Sequence, residues 1–181
     1  STHDQSSAAS DVYKRQHNGL PREILEKVFW LGDCLVQRYQ GKTYHSYNSS
    51  YLVIGSEAAL LVETGHPKDF NKLHEQMKRI LDDKKIPLKY MFTTHQETPH
   101  AGGIARFLNF YPDVTVYGDV SDYHMAFPMF ENNFSSMEVG DKIDLGGFEL
   151  IATEPVVRDI RTSLWGMLHP HKILFPGDGF A

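Results

Sequence analysis

Between residues 50 and 93 the spacing of apolar side chains changes twice, and few folds accommodate that order. Residues 50–54 and 59–63 are apolar runs joined by Gly55-Ser56-Glu57, which reads as a β-hairpin. Phe70, Leu73, Met77, Ile80 and Leu81 then recur at helical spacing, with Pro67 at the predicted first turn and Lys and Arg toward the end. Pro87 breaks that pattern, and residues 88–93 return to strand character and lead straight to His95. A strand pair, a helix and another strand in this order bury the helix's apolar stripe against one face of a sheet.

The flanking regions extend the pattern. Residues 27–31 and 35–39 read as short strands around Gly32-Asp33. Ile104, Phe107 and Leu108 share one face of a second helix stopped by Pro112, residues 114–117 form a strand, and residues 122–130 form a short helical or irregular piece. Residues 141–145 and 148–153 predict a hairpin over Gly146-Gly147, and residues 163–168 and 172–175 another over His169-Pro170-His171. Strands, then βα units, then strands again predict an α/β fold of two sheets with helices packed outside.

The chain has 181 residues, which suits one domain. With 41% hydrophobic and 12% aromatic residues it can build a core, so disorder is excluded for most of its length. A net charge of −5 argues against a basic nucleic-acid-binding face. No apolar run approaches the ~20 residues of a membrane span. The single cysteine, Cys34, excludes an internal disulfide framework and a cysteine-rich zinc module, and fits a reducing, cytoplasmic location.

Residues 1–16 are Ser/Ala-rich and lack apolar periodicity. Asp11-Val12-Tyr13-Lys14-Arg15-Gln16 resembles the translation of a transposon mosaic end used in DNA-library preparation. Residues 1–16 are therefore expected to be a non-native or disordered leader, and residues 17–181 the domain. The ending Phe175-Pro176-Gly177-Asp178-Gly179-Phe180-Ala181 follows a strong strand with no terminal helix, so the domain is expected to be incomplete at its C-terminal end.

The chemistry concentrates in Thr94-His95-Gln96-Glu97-Thr98-Pro99-His100. In an extended loop His95 and Glu97 share a side, and His100 begins the next helix. Loops at strand ends of α/β folds are where ligands and metals bind. Two imidazoles and a carboxylate within six residues suit iron, manganese or zinc. His169 and His171 are expected to face solvent, and His45, His66 and His124 to be surface or hydrogen-bonded residues.

Four segments in order resemble the metallo-β-lactamase superfamily. They are Tyr51-Leu52-Val53 with Leu61-Val62-Glu63-Thr64-Gly65, the His95 motif, Gly140-Asp141-Lys142-Ile143-Asp144-Leu145-Gly146-Gly147, and Phe175-Pro176-Gly177-Asp178. The resemblance implies an αββα sandwich. Glu97 in the motif's second ligand position resembles the flavodiiron branch and its oxygen-binding diiron relatives, as does Thr43-Tyr44-His45-Ser46-Tyr47-Asn48-Ser49-Ser50-Tyr51-Leu52. By that resemblance His95 and Glu97 bind one iron, His100 the second, and Asp178 bridges both. Two positions depart from the family pattern. Pro99 replaces the motif's aspartate and offers no ligand atom, and Asp159 stands where the family places a histidine. Asp159 can ligate a metal, or pair with Arg158 or Arg161 at the surface.

Three function classes follow. The first is a non-haem iron site, with one or two irons, that binds, reduces or senses O2 or NO. Its electrons would come from a redox partner or a flavodoxin domain outside this chain. The second is a metallohydrolase using zinc or manganese on a hydrolysable substrate. The third is a degenerate, non-catalytic member, suggested by Pro99 and Asp159. Neither a nucleic-acid nor a membrane partner is expected, and a homodimer is left open.

Overall fold

The computed structural model describes residues 19–180, so the expected 1–16 leader lies outside the described residues. The chain runs through β1 (Arg22–Leu25), β2 (Val28–Leu31), β3 (Cys34–Tyr39), β4 (Lys42–Tyr47), β5 (Ser50–Ile54), β6 (Ala59–Val62), α1 (Phe70–Lys84), β7 (Leu88–Phe92), α2 (Thr98–Ala101), α3 (Ile104–Phe110), β8 (Thr115–Gly118), α4 (Tyr123–Ala126), β9 (Phe134–Ser136), β10 (Lys142–Asp144), β11 (Glu149–Thr153), β12 (Trp165–His169) and β13 (Ile173–Phe175).

These strands make a seven-stranded sheet ordered β1-β2-β5-β6-β7-β8-β9, a four-stranded sheet ordered β10-β11-β12-β13, and the separate ribbon β3-β4. Strands β6 to β9 pair in parallel, and their crossovers carry the helices. Side-chain alternation divides the core in two. Leu52, Leu61 and Met91 face the helices and pack with Phe70, Leu73, Met77, Ile104 and Phe107. Val53, Leu60, Val62 and Phe92 face the second sheet and pack with Leu145, Leu150, Leu168 and Phe175. The central strand β6 is therefore apolar on both faces, and all four of its residues are buried. A helix layer over two packed sheets makes, among the described residues, three of the four layers of the expected αββα sandwich. Among the described residues, no helix is long and apolar enough to cross a membrane.

Several elements differ from the sequence expectation. The strand expected over 27–31 is β2, and it is preceded by β1, with Lys27 turning the chain at φ 60°. The segment from Lys42 to Tyr47 is a strand that sequence reading missed, because it pairs only with β3 and is exposed along most of its length. Residues 163 and 164 lie in a loop before β12, where the Leu164 N–H donates to Thr94 O at 2.7 Å. That bond ties the β11–β12 loop to the loop that carries His95.

Candidate metal centre

Strand β7 ends at Phe92, and the chain continues through Thr93 and Thr94 to His95 at the mouth between the two sheets. Glu97 is extended (φ −120°, ψ 158°) and immediately precedes α2, which carries His100. Asp159 comes from the β11–β12 loop and Asp178 from the segment after β13. Residues scattered over more than eighty positions thus meet at one rim. His95, Glu97, Asp159 and Asp178 each offer one ligand atom, all within 4.8 Å of one another. His95, His100 and Asp178 form a second group by the same measure.

His95 Nε2 lies 3.8 Å from Glu97 Oε2, 3.9 Å from Asp159 Oδ2 and 3.8 Å from Asp178 Oδ2. These distances are too long for hydrogen bonds. They lie between the ~3.4 Å of a tetrahedral pair and the ~4.2 Å upper limit for donors each ~2.1 Å from one cation. Nε2 is buried and has no hydrogen-bond partner, a costly state for a polar atom unless a cation meets it. The donor set therefore fits a metal ion.

A buried relay behind His95 fixes its tautomer. The Thr94 hydroxyl lies 2.5 Å from Glu63 Oε1 and 3.0 Å from His95 Nδ1. A carboxylate only accepts, so Thr94 donates to Glu63 and accepts from His95 Nδ1–H. Nε2 then keeps its lone pair, aimed at the three carboxylates. Burial lowers the His95 pKa, the charge of His100 lowers it further, and Glu63, Asp178 and Glu97 oppose. The neutral, ligand-competent imidazole is favoured.

His100 is set in the opposite sense. Burial alone would lower its pKa, but the adjacent carboxylates of Glu63 and Asp178 outweigh this and push it up to about 9. His100 Nδ1 lies 3.4 Å from Glu63 Oε1 and Nε2 3.2 Å from Asp178 Oδ1. Both contacts are off-axis, so they are ion-pair contacts rather than well-aligned hydrogen bonds. Thr64 fixes the backbone of α2, its N–H and hydroxyl donating to His100 O at 2.7 and 2.8 Å.

Gly177 must lack a side chain. It sits at φ +57°, and a Cβ there would come within 2.5 Å of Thr94 Oγ1 and 3.1 Å of His95 Nδ1. This glycine lets the segment that carries Asp178 close against the His95 loop.

All five sequence-predicted residues are thus brought together. Arg158 pairs with Glu154, and Arg161 with Asp122. Asp159 faces His95 instead. Pro99 borders a cavity of about 560 Å³ also lined by Tyr47, Tyr51, Glu63, His100 and Asp178. The other histidines stand apart. His45 Nδ1 meets Cys34 Sγ at 3.2 Å, His66 Nδ1 accepts from Lys68 N, and His171 Nε2 meets Glu26 O at 3.0 Å. Sequence reasoning missed the role of Glu63. Its signal was an acid closing the apolar run 59–62, where it is 5% exposed and at φ 62°.

The family model described as "Metallo-beta-lactamase superfamily" matches residues 44–178. Coenzyme F420H2 oxidase of Methanothermobacter marburgensis is 27% identical over 169 residues, covering 88% of this chain and 42% of that protein. Anaerobic nitric oxide reductase flavorubredoxin of Aliivibrio salmonicida is 28% identical over 173 residues, covering 87% of this chain and 33% of that protein. The flavodiiron protein of Giardia intestinalis superposes with a TM-score of 0.73 at 20% identity, over 88% of this chain and 40% of that one. The chain spans less than half the length of these relatives.

Proposed function

The chain belongs to the metallo-beta-lactamase superfamily, and we propose that it is the metal-binding domain of a flavodiiron-type oxidoreductase acting on O2 or NO. The observation that carries this reading is the donor set around His95. It holds one imidazole and three carboxylates, Glu97, Asp159 and Asp178, which suits a hard, oxidisable ion better than a histidine-dominated zinc site. The names of the relatives, an F420H2 oxidase and a nitric oxide reductase, point the same way.

Among the described residues Pro99 leaves the second ligand group short of a donor, and the one-ion reading takes His95, Glu97, Asp159 and Asp178 as the ligands within this chain. Ferrous iron held there would supply a redox-active cation. His95 presents the Nε2 lone pair and is held in register by Thr94. Glu97, Asp159 and Asp178 bring anionic oxygens that favour the oxidised ion. Electrons arrive from a flavin-bearing domain or partner outside this chain.

Anaerobic loading with iron(II) tests the reading. The expected outcome is one iron per chain, with an optical or paramagnetic change on exposure to O2 or NO. Efficient ester or lactam hydrolysis by the zinc-loaded chain, with the iron-loaded chain silent toward both gases, would establish a hydrolase instead.

A further inference from the structure

The loop that carries Asp159 has little apolar material to fix it. Pro155 is buried before that residue, and Thr162, Ser163 and Leu164 are buried after it. Between them Val156 is 85% exposed, and Val157, Arg158 and Asp159 are exposed as well. A loop packed at both ends and bare in the middle can aim a carboxylate at solvent or at the site, and polar contacts decide which. Arg158 acts within the loop, meeting Glu154 Oε1 at 2.6 Å and donating to Arg161 O at 3.3 Å. The Ile160 N–H donates to Ser163 Oγ and the Ser163 N–H to Ile160 O, both at 3.1 Å.

Arg161 reaches out of the loop. Its guanidinium meets Asp122 Oδ2, donates to Ser121 Oγ at 3.2 Å and has Asp119 Oδ2 at 4.0 Å. All three partners belong to the turn between β8 and α4. That turn is itself well fastened. Asp119 Oδ1 accepts from the Ser121 N–H at 3.2 Å and from its hydroxyl at 2.6 Å. The next residue after Asp122, Tyr123, is fully buried, and its hydroxyl lies 2.6 Å from Thr93 Oγ1. Thr93 stands two residues ahead of His95. The anchor of Arg161 and the imidazole of His95 therefore share one frame.

We propose that Arg161 is a positioning residue for the metal centre: by clamping the β11–β12 loop onto the β8–α4 turn, it presents Asp159 to an ion held at His95. A planar guanidinium among several acceptors fixes orientation as well as distance. Its charge alone would act the other way. A cation two residues from Asp159 repels a metal ion, so by Coulomb's law its removal strengthens metal binding, and salt screens that effect. Loss of the clamp instead frees Asp159 and weakens binding. The two contributions differ in sign, which separates position from charge. The inference rests on Asp159 being a ligand, as proposed above.

The test uses the whole chain and manganese(II) competition titration at high salt. Arg161→Ala is expected to weaken manganese(II) binding ~10-fold. Arg161→Gln keeps much of the aliphatic stem without the charged fork, and the same loss is expected. Adding Arg161→Ala to Asp159→Asn is expected to cost nothing further, because no carboxylate is left to present. In chelator, the melting temperature of either Arg161 variant is expected to move by no more than about 4 °C, since an exposed ion pair contributes little to the fold.

Unchanged or tighter binding in Arg161→Ala would make Arg161 a bystander charge and overturn the proposal. Losses that add in the double variant would show that Arg161 does not act through Asp159, and parent affinity in Arg161→Gln would assign the effect to the stem; either overturns it. A larger fall in the melting temperature of the chelated variants would make the role one of general stability. An Asp159→Asn chain that binds like the parent, or a parent that binds no manganese(II), would overturn the metal-centre reading itself, which is a separate result.

Discussion

Asp159 Oδ2 stands 3.9 Å from His95 Nε2, while the two arginines beside it in sequence are engaged elsewhere. Arg158 meets Glu154 at 2.6 Å, and Arg161 meets Asp122 across thirty-nine residues of chain. A surface carboxylate next to two arginines would ordinarily pair with one of them. Here the loop turns it toward a buried imidazole and two further carboxylates. Three carboxylates around one neutral ring repel each other unless a cation joins them.

Asp159→Asn is therefore expected to lower metal affinity at least about tenfold and to shrink the thermal stabilisation that metal confers. The measurement is the rise in melting temperature on adding iron(II) or manganese(II) anaerobically. If metal content and that rise both match the parent chain, Asp159 is only a surface charge.

The stoichiometry is expected to be one metal per chain, abolished by His95→Ala. Pro99→Asp supplies a donor beside His100 at the start of α2, where an acidic side chain is compatible with the helix dipole. A second ion per chain is the expected consequence, read by elemental analysis. Two tightly held ions in the parent chain would refute the first statement, and a Pro99→Asp chain still at one ion would refute the second.

The metal-free chain is expected to lose stability in alkali through His100. Its folded pKa, about 9, is above the ordinary histidine value of 6.5, so the stabilisation is complete below about 6.5 and is lost as pH rises through about 9. His95 has the opposite sign. Its pKa is lowered, so its contribution is present above 6.5 and is lost as pH falls. Urea midpoints measured in chelator across this range should decline toward pH 9, and His100→Gln should flatten the decline. An alkaline limb of equal slope in the variant would assign it to other groups.

Gly177→Ala is expected to destabilise the fold by roughly 1–3 kcal/mol and to weaken metal binding in the same variant. The added Cβ meets Thr94 Oγ1 at 2.5 Å, at a backbone φ of +57° that disfavours any side chain. Urea denaturation reads the first effect and metal competition the second. A variant as stable as the parent would show that the Asp178 segment can shift without cost.

The sequence by itself determined the layers and pointed to all five candidate site residues. The change from period two to helical spacing and back, between residues 50 and 93, was enough to place α1 on a sheet, because burial of an apolar stripe has few geometric solutions. His95, Glu97 and His100 were legible together because they lie on one strand-end loop and the helix that follows it. Strand β4 escaped because a mostly exposed ribbon leaves little apolar alternation to read.

The tertiary structure alone decided the rest. Asp159 lies more than sixty residues from His95 in sequence, and its choice between an arginine and the site depended on where Glu154 and Asp122 stood. Glu63 gained its role only when β6 and β7 were paired side by side, which brought its carboxylate to Thr94 and His100. Hydrophobic periodicity is local along the chain and can be read from it. The partner of a charged side chain is set by distances in space, and these exist only after the sheets have packed.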